Sequence, residues 1–156
     1  MRKLVFVFVA LALAACSMGS RSEIEQNREK WQNADFSHYR FHLTVGCFCV
    51  FSQDMPLIIE VQNGEMVSME YQSGNEIDAS TREYFQRFAT IDKIFAEIEK
   101  DFQTVDSGDA SQDKADEVIV EYDETYGFPT QVNVDFVKEA IDDELYLTLS
   151  NVERLP

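Results

Sequence analysis

Hydrophobic and polar residues alternate along much of this chain, and the alternation predicts strands. From residue 39 to residue 45 the odd positions are apolar and the even positions are polar. That pattern is typical of an antiparallel strand with one buried face. Five further segments alternate in a similar way: 57–61, 67–71, 118–122, 132–136 and 145–149.

Apolar residues recur at helical spacing in two other segments. The apolar positions of segment 23–33 share one face, so we expect a short helix whose Trp31 fills the core. A second helix should begin after Thr90, a favourable N-cap residue. Its apolar stripe consists of Ile91, Ile94, Phe95, Ile98 and Phe102. Ser80 and Glu83 are spaced as a capping box and predict a short helical turn before it.

The order of these elements is helix, three strands, helix, three strands. Each predicted helix has one apolar stripe and each predicted strand one apolar face. The economical arrangement is an α+β fold, in which helices pack on one face of an antiparallel sheet of about six strands. The order also suggests a duplicated αβββ unit, although the two halves share no sequence identity.

The Asn63-Gly64 turn decides how the second and third strands pair. A two-residue loop would set apolar residues opposite polar ones. A three-residue loop, with Gly64 left-handed in a bulge, pairs Ile59 with Val67 and gathers the apolar residues of both strands on one face. We therefore predict the three-residue loop.

The first residues form a separate unit. Arg2 and Lys3 precede an apolar run over residues 4–15, which is shorter than the roughly 20 residues of a membrane-spanning helix. A basic start, a short apolar run and small residues before Cys16 predict a secretory signal peptide over residues 1–15.

The segment Leu13-Ala14-Ala15-Cys16 resembles the lipobox of bacterial lipoproteins. The resemblance implies cleavage before Cys16 and attachment of a diacylglycerol and a further acyl chain, such as palmitate, to that residue. Two or more acyl chains anchor a protein stably, whereas one chain is marginal. Ser17 stands where aspartate would retain an enterobacterial lipoprotein at the inner membrane, so the resemblance implies the outer membrane.

The remaining chain divides simply. Residues 16–22 should form a lipidated tether, and residues 23–156 a single globular domain long enough to bury a core.

The net charge is −16, and removal of the signal peptide makes it more negative. This balance argues against nucleic acid as a partner, because phosphate contacts need lysine and arginine. The expected location is the bacterial cell envelope, with the membrane as partner through the lipid and an envelope protein as a further partner.

Three groups of residues together resemble a known family. They are Trp31, Tyr39 and Cys47-Phe48-Cys49; Thr90 to Phe95; and Tyr122-Asp123, Tyr126-Gly127-Phe128-Pro129, Asp135 and Asp142-Asp143-Glu144. They are similar to the bacterial DUF6174 family, whose members are small, mostly secreted or lipid-anchored proteins without an assigned function. The resemblance spans about residues 30–150 and implies no mechanism.

Cys47 and Cys49 are the first candidate site. Outside the cytosol, paired cysteines usually oxidise to a disulfide. In a regular strand, however, their Cβ atoms stand roughly 6.5–7 Å apart, whereas a disulfide needs about 3.5–4.5 Å. Either the chain turns at Phe48 and a disulfide fixes the strand end, or the thiols stay apart. A strained disulfide would be easily reduced, which leaves a redox role open.

A soft-metal site is a second candidate. His38, His42, Cys47 and Cys49 offer imidazole and thiolate ligands suited to copper(I) or zinc. The histidines occupy even positions and the cysteines odd positions, so a regular strand would turn them to opposite faces. A bulge at Gly46 would bring all four to one face.

Acidic residues beside the last two strands are a third candidate. They offer oxygen ligands for calcium, although their spacing matches no EF-hand loop. They are Asp135, Asp142, Asp143 and Glu144. An acidic turn in contact with water explains the same residues.

Segment 122–129 should form a shaped hairpin loop. Gly127 can take a positive φ, and Pro129 removes a donor N–H where the next strand begins. Packing within the turn explains Tyr126 and Phe128. Alternatively, these two residues anchor a partner protein, since aromatic residues dominate many interfaces.

No set of residues specifies a reaction. The chain contains no Gly-x-Ser-x-Gly, no HExxH and no phosphate-binding glycine loop, and an enzyme therefore has the least support. We expect a lipid-anchored binding or structural module that needs no cofactor beyond the lipid on Cys16. The alternative is a periplasmic thiol redox or soft-metal-binding protein that uses the Cys47-x-Cys49 motif.

Overall fold

The computed structural model describes residues 18–46, 52–107, 115–136 and 144–156. The helices are α1 (Met18–Asn33), α2 (Ala79–Phe85) and α3 (Ile91–Ser107), with short 3₁₀ turns at Ser52–Asp54 and Gln86–Phe88. The strands are β1 (His38–Gly46), β2 (Leu57–Gln62), β3 (Glu65–Tyr71), β4 (Glu117–Tyr122), β5 (Pro129–Asp135) and β6 (Leu145–Arg154).

The six strands form one sheet in the order β3-β2-β1-β6-β5-β4, and every neighbouring pair is antiparallel. This confirms the α+β fold with a six-stranded antiparallel sheet. The centre of the sheet is the pairing of β1 with β6. The two halves share the order of elements, but the first half runs from centre to edge and the second from edge to centre.

One face of the sheet is buried beneath the helices. The odd-numbered residues of β1 from Tyr39 to Val45 are all buried, as the alternation predicts. Trp31 of α1 packs edge-on against Tyr39, with ring centroids 5.2 Å apart, and Phe95 of α3 stacks on Tyr122 of β4 at 6.2 Å. Trp31 is therefore part of the core, as expected.

The first helix begins earlier than the sequence analysis placed it. Residues 16–22 were expected to form a tether, but α1 starts at Met18. Arg21, Glu23 and Glu25 are good helix formers, and they offset the weak propensities of Gly19 and the serines. Residues 18–22 of the expected tether are therefore helical.

The N-terminus of α3 is held as predicted. The Thr90 hydroxyl accepts a hydrogen bond from the backbone N–H of Lys93 at 3.1 Å. The buried hydroxyl of Tyr39 accepts a second hydrogen bond from the N–H of Ile91 at 3.2 Å, which joins this helix end to β1.

The capping box expected at Ser80 is wrong, because Asp78 caps α2 and accepts hydrogen bonds from the N–H groups of residues 80 and 81.

The predicted pairing of β2 with β3 is wrong by two residues. Ile59 pairs with Met69 instead of Val67, and Gln62 pairs with Glu65 across a two-residue turn. Asn63 and Gly64 both have positive φ, at 52° and 79°, which suits a type I′ turn. A bulge at Val67 then restores the burial of the following apolar residues, and Val67 itself stays 53% exposed.

Asp101 makes α3 sensitive to pH. Burial and the nearby Glu97 carboxylate raise the pKa of Asp101 to about 6, above its ordinary 3.8. The protonated carboxyl therefore favours the folded state below about pH 4, and this contribution is lost as pH rises through about 6. With allowance for solvent screening, Asp101→Asn should raise the free energy of unfolding by about 1 kcal/mol near neutral pH and change it little near pH 4.

Urea unfolding followed by circular dichroism at the two pH values measures this effect. Glu29→Gln removes an exposed carboxylate from α1 and controls for net charge. A gain in stability for Asp101→Asn that is equal at both pH values would contradict the assignment.

Candidate functional site

The face of the sheet opposite the helices is the candidate site. We call it the open face, and it carries the even-numbered residues of β1, β2 and β6 (as far as Ser150) and the odd-numbered residues of β4 and β5. Many of these side chains are polar and partly exposed. No helix within the described ranges packs on this face.

Charges on the β1 and β2 side of the open face are paired within the protein. The His38 ring lies 2.9 Å from a Glu60 carboxylate oxygen through Nε2, and 2.9 Å from the Pro156 carbonyl oxygen through Nδ1. The guanidinium of Arg40 lies 3.6 Å from Glu153 of β6. These side chains form cross-strand contacts that hold β2, β1 and β6 in register.

The hydrogen bond to Glu60, followed by that to the Pro156 carbonyl, raises the pKa of His38 above its ordinary 6.5. The charged ring therefore stabilises the fold below pH 6.5, and this contribution is lost as pH rises through the folded-state pKa. We expect the pKa of His38 to fall in a Glu60→Gln variant. NMR titration of the histidine ring protons measures it, and a midpoint unchanged by the substitution would contradict this contact.

The β4, β5 and β6 side of the open face differs in chemistry. Ile119 pairs with Asn133, which in turn pairs with Tyr146, so one row across the three strands has an apolar residue at each end. Ile119 is 51% and Tyr146 is 46% exposed. Beside this row lies a shallow groove of about 200 Å³, whose acidic lining residues are Glu117, Asp135 and Glu144.

Ile119 and Tyr146 were not among the site residues predicted from the sequence. The alternation of their strands could have identified them. Each is a large apolar residue at a position where the alternation directs side chains away from the core. A single apolar residue at such a position is common on protein surfaces, and it indicates a contact site only when the fold brings it together with others.

The predicted soft-metal site is not assembled from the histidines. His38 and His42 lie four residues apart on β1, or roughly 13 Å along a strand. Both rings have protein partners, since His42 contacts the Asn151 amide at 3.3 Å. Such a site would need a bulge at Gly46, but β1 stays in register with β6 from His42 to the Gly46–Tyr146 pair, the last described residue of β1.

Several predicted site residues lie outside the described residues. They are Cys16, Cys47, Cys49, Asp142 and Asp143. The lipidation and the disulfide or redox chemistry therefore stay predictions. Within the described ranges, no group of three or more histidine, cysteine, aspartate or glutamate residues is placed to hold a metal ion.

The loop between β4 and β5 is exposed at its tip and packs inside the protein only where it enters β5. Gly127, Phe128 and Pro129 are buried, and the Phe128 ring lies edge-on to Trp31 at 6.2 Å. Asp123 shapes the turn, because its carboxylate accepts hydrogen bonds from the N–H groups of residues 125 and 126. Of the two expected anchors only Tyr126 is exposed, at 41%, so docking by this loop would rest on that ring.

The family of unknown function DUF6174 matches residues 23–154. The chain belongs to the DUF6174 family. No curated protein and no solved structure matches it. Membership of DUF6174 confirms the resemblance seen in the sequence and assigns no activity. Among the described residues of this DUF6174 protein, no helix has the length and apolarity to span a bilayer.

Proposed function

We propose that the protein is a lipid-anchored module of the bacterial cell envelope that binds a partner through the open face of its sheet. The proposal rests on the difference in burial between the two faces of the sheet. Helices cover one face and bury most of its residues, while the other face leaves Ile119 and Tyr146 about half exposed. Large apolar residues grouped on an otherwise polar surface are typical of binding sites.

The proposed anchor rests on the N-terminal sequence. Segment 1–15 has the pattern of a signal peptide, and Cys16 follows Leu-Ala-Ala as in a lipobox. Helix α1 starts only two residues later, which would hold the domain close to the bilayer. Addition of acyl chains to Cys16 would make the attachment stable.

Metabolic labelling with an alkyne analogue of palmitate tests the anchor. We expect the natural chain to be labelled and to sediment with membranes, and Cys16→Ser to lose both properties. An unlabelled natural chain, or a mass spectrum in which the mature protein still begins at Met1, would contradict this part of the proposal.

Site-specific photocrosslinking in the producing cell tests the binding face. A benzophenone side chain replaces Thr148, an exposed residue of β6 on the open face, and separately replaces Glu29, an exposed residue of α1. We expect a discrete adduct from position 148 and none from position 29. Adducts at both positions or at neither would count against a specific open-face contact.

A further inference from the structure

The strand β4 ends the sheet on one side, so part of its backbone has no neighbouring strand among the described residues. Such an edge can take up an extended segment of another chain by strand addition. The open-face residues of β4 are Glu117, Ile119 and Glu121, and all three are exposed. The edge therefore presents an apolar position between two acidic positions.

The neighbouring strands extend this pattern across the sheet. Asp135 pairs with Glu117, and Glu144 lines the same groove. The exposed Tyr146 ring lies in the row of Ile119. A bound segment would thus meet an apolar row with carboxylates beside it.

The carboxylates on this side differ from the other open-face carboxylates in their ion pairing among the described residues. Elsewhere on the open face, Glu60 and Glu153 are paired with His38 and Arg40. Within the described part of the chain, by contrast, no ion pair involves Glu117, Glu121, Asp135 or Glu144. A basic partner would supply the missing charges, whereas an acidic one would be repelled.

We propose that β4 binds an extended polypeptide segment in which basic, apolar and basic residues occupy alternate positions. This inference rests on the proposed open-face function and names its partner. When a strand pairs with β4, its side chains on the open face repeat every second residue. Basic residues then face Glu117 and Glu121, and the apolar residue faces Ile119.

A second copy of the chain suits this edge poorly. Antiparallel pairing of two β4 strands around Ile119 would set Glu117 of one copy opposite Glu121 of the other, and like charges directly opposite destabilise a sheet. The net charge of −16 adds repulsion between whole molecules.

Fluorescence anisotropy with a labelled peptide tests the proposal. The peptide contains lysine, threonine, valine, threonine and lysine in succession, and the protein is the full chain in detergent. We expect saturable binding that weakens with salt. A peptide with glutamate in place of lysine, and one with methylated backbone nitrogens, should each bind at least about tenfold more weakly, because the first removes charge complementarity and the second removes strand hydrogen bonds.

Two charge-reversal variants locate the binding edge. Glu117→Lys with Glu121→Lys should weaken peptide binding at least about tenfold. Glu65→Lys with Glu70→Lys makes the same change of charge on β3, the opposite edge, and should leave binding nearly unchanged. In the unaltered protein, bound peptide should slow hydrogen exchange of β4 amides, which needs no substitution.

Equal losses in the two variants, no binding, or a dimer formed through β4 would overturn the inference. Its failure is distinguishable from failure of the proposed function. If position 148 gives a specific crosslink but the peptide does not bind β4, the open face still binds a partner and only its assigned chemistry is wrong. If the crosslink is also absent, both proposals fail.

Discussion

Gly127→Ala is expected to lower the free energy of unfolding by about 2–5 kcal/mol. Gly127 has φ +78°, and a Cβ atom there would lie 2.3 Å from the backbone oxygen of Asn27 and 2.8 Å from Lys30 Cβ. The left-handed conformation costs an alanine about 1–2 kcal/mol, and overpacking adds about 1–3 kcal/mol. The obstacle is the backbone of α1, so the loop and the helix must move apart.

Gly64→Ala is the matched control. Gly64 has nearly the same φ, +79°, but no atom lies within 4 Å of its would-be Cβ. Only the conformational penalty applies there, so we expect a loss of about 1–2 kcal/mol. Urea unfolding followed by circular dichroism measures both variants. Equal losses would show that α1 does not press against Gly127.

Trp31→Ala should cost about 3–5 kcal/mol of unfolding free energy, the usual range for truncating a large buried aromatic residue. Trp31 is 4% exposed and joins α1 to the sheet and to the β4–β5 loop. Its ring contacts Phe36, Tyr39 and Phe128. The substitution would therefore leave a cavity where three parts of the fold meet.

Trp31→Phe keeps an aromatic ring in the same place and should cost much less than the alanine variant. Thermal unfolding by calorimetry compares the two with the natural protein. A loss below about 1 kcal/mol for Trp31→Ala would mean that this end of α1 contributes little to the stability of the fold.

The strands were predictable because each carries its own local signal. In β1, apolar residues at every second position require one buried face, and the structure buries all of them from Tyr39 to Val45. The stripe of α3 and its Thr90 cap are equally local. These features depend on residues close together in sequence, so their physical cause is visible in the sequence.

Which strands pair, and in which register, was harder to predict from the sequence. The predicted register placed its bulge in the loop at Gly64 and had none inside β3, whereas a bulge at Val67 accommodates both the two-residue turn and the buried face. The arrangement of β6 beside β1 depends on contacts between distant segments. Alternation specifies which face of a strand is buried, but it does not specify the neighbouring strand.

The candidate site also combines features that the sequence indicates with features that only the fold shows. Tyr126 and Phe128 look alike in the sequence as aromatic loop residues, yet the structure buries one against Trp31 and leaves the other exposed. Ile119 and Tyr146 are distant in sequence and come into one row, with Asn133 between them, only through the β4–β5–β6 order. Sequence alternation could mark each as exposed, but only the fold brings them together.

The pairing of β1 with β6 at the centre of the sheet affects how the chain folds. His42 near the start of the domain pairs with Ser150 near its end, so the middle of the sheet closes only after almost the whole chain is available. Such distant pairing gives a high contact order and slow folding. During synthesis from the N-terminus, the two halves of the sheet could therefore not join until the segment that forms β6 had been made.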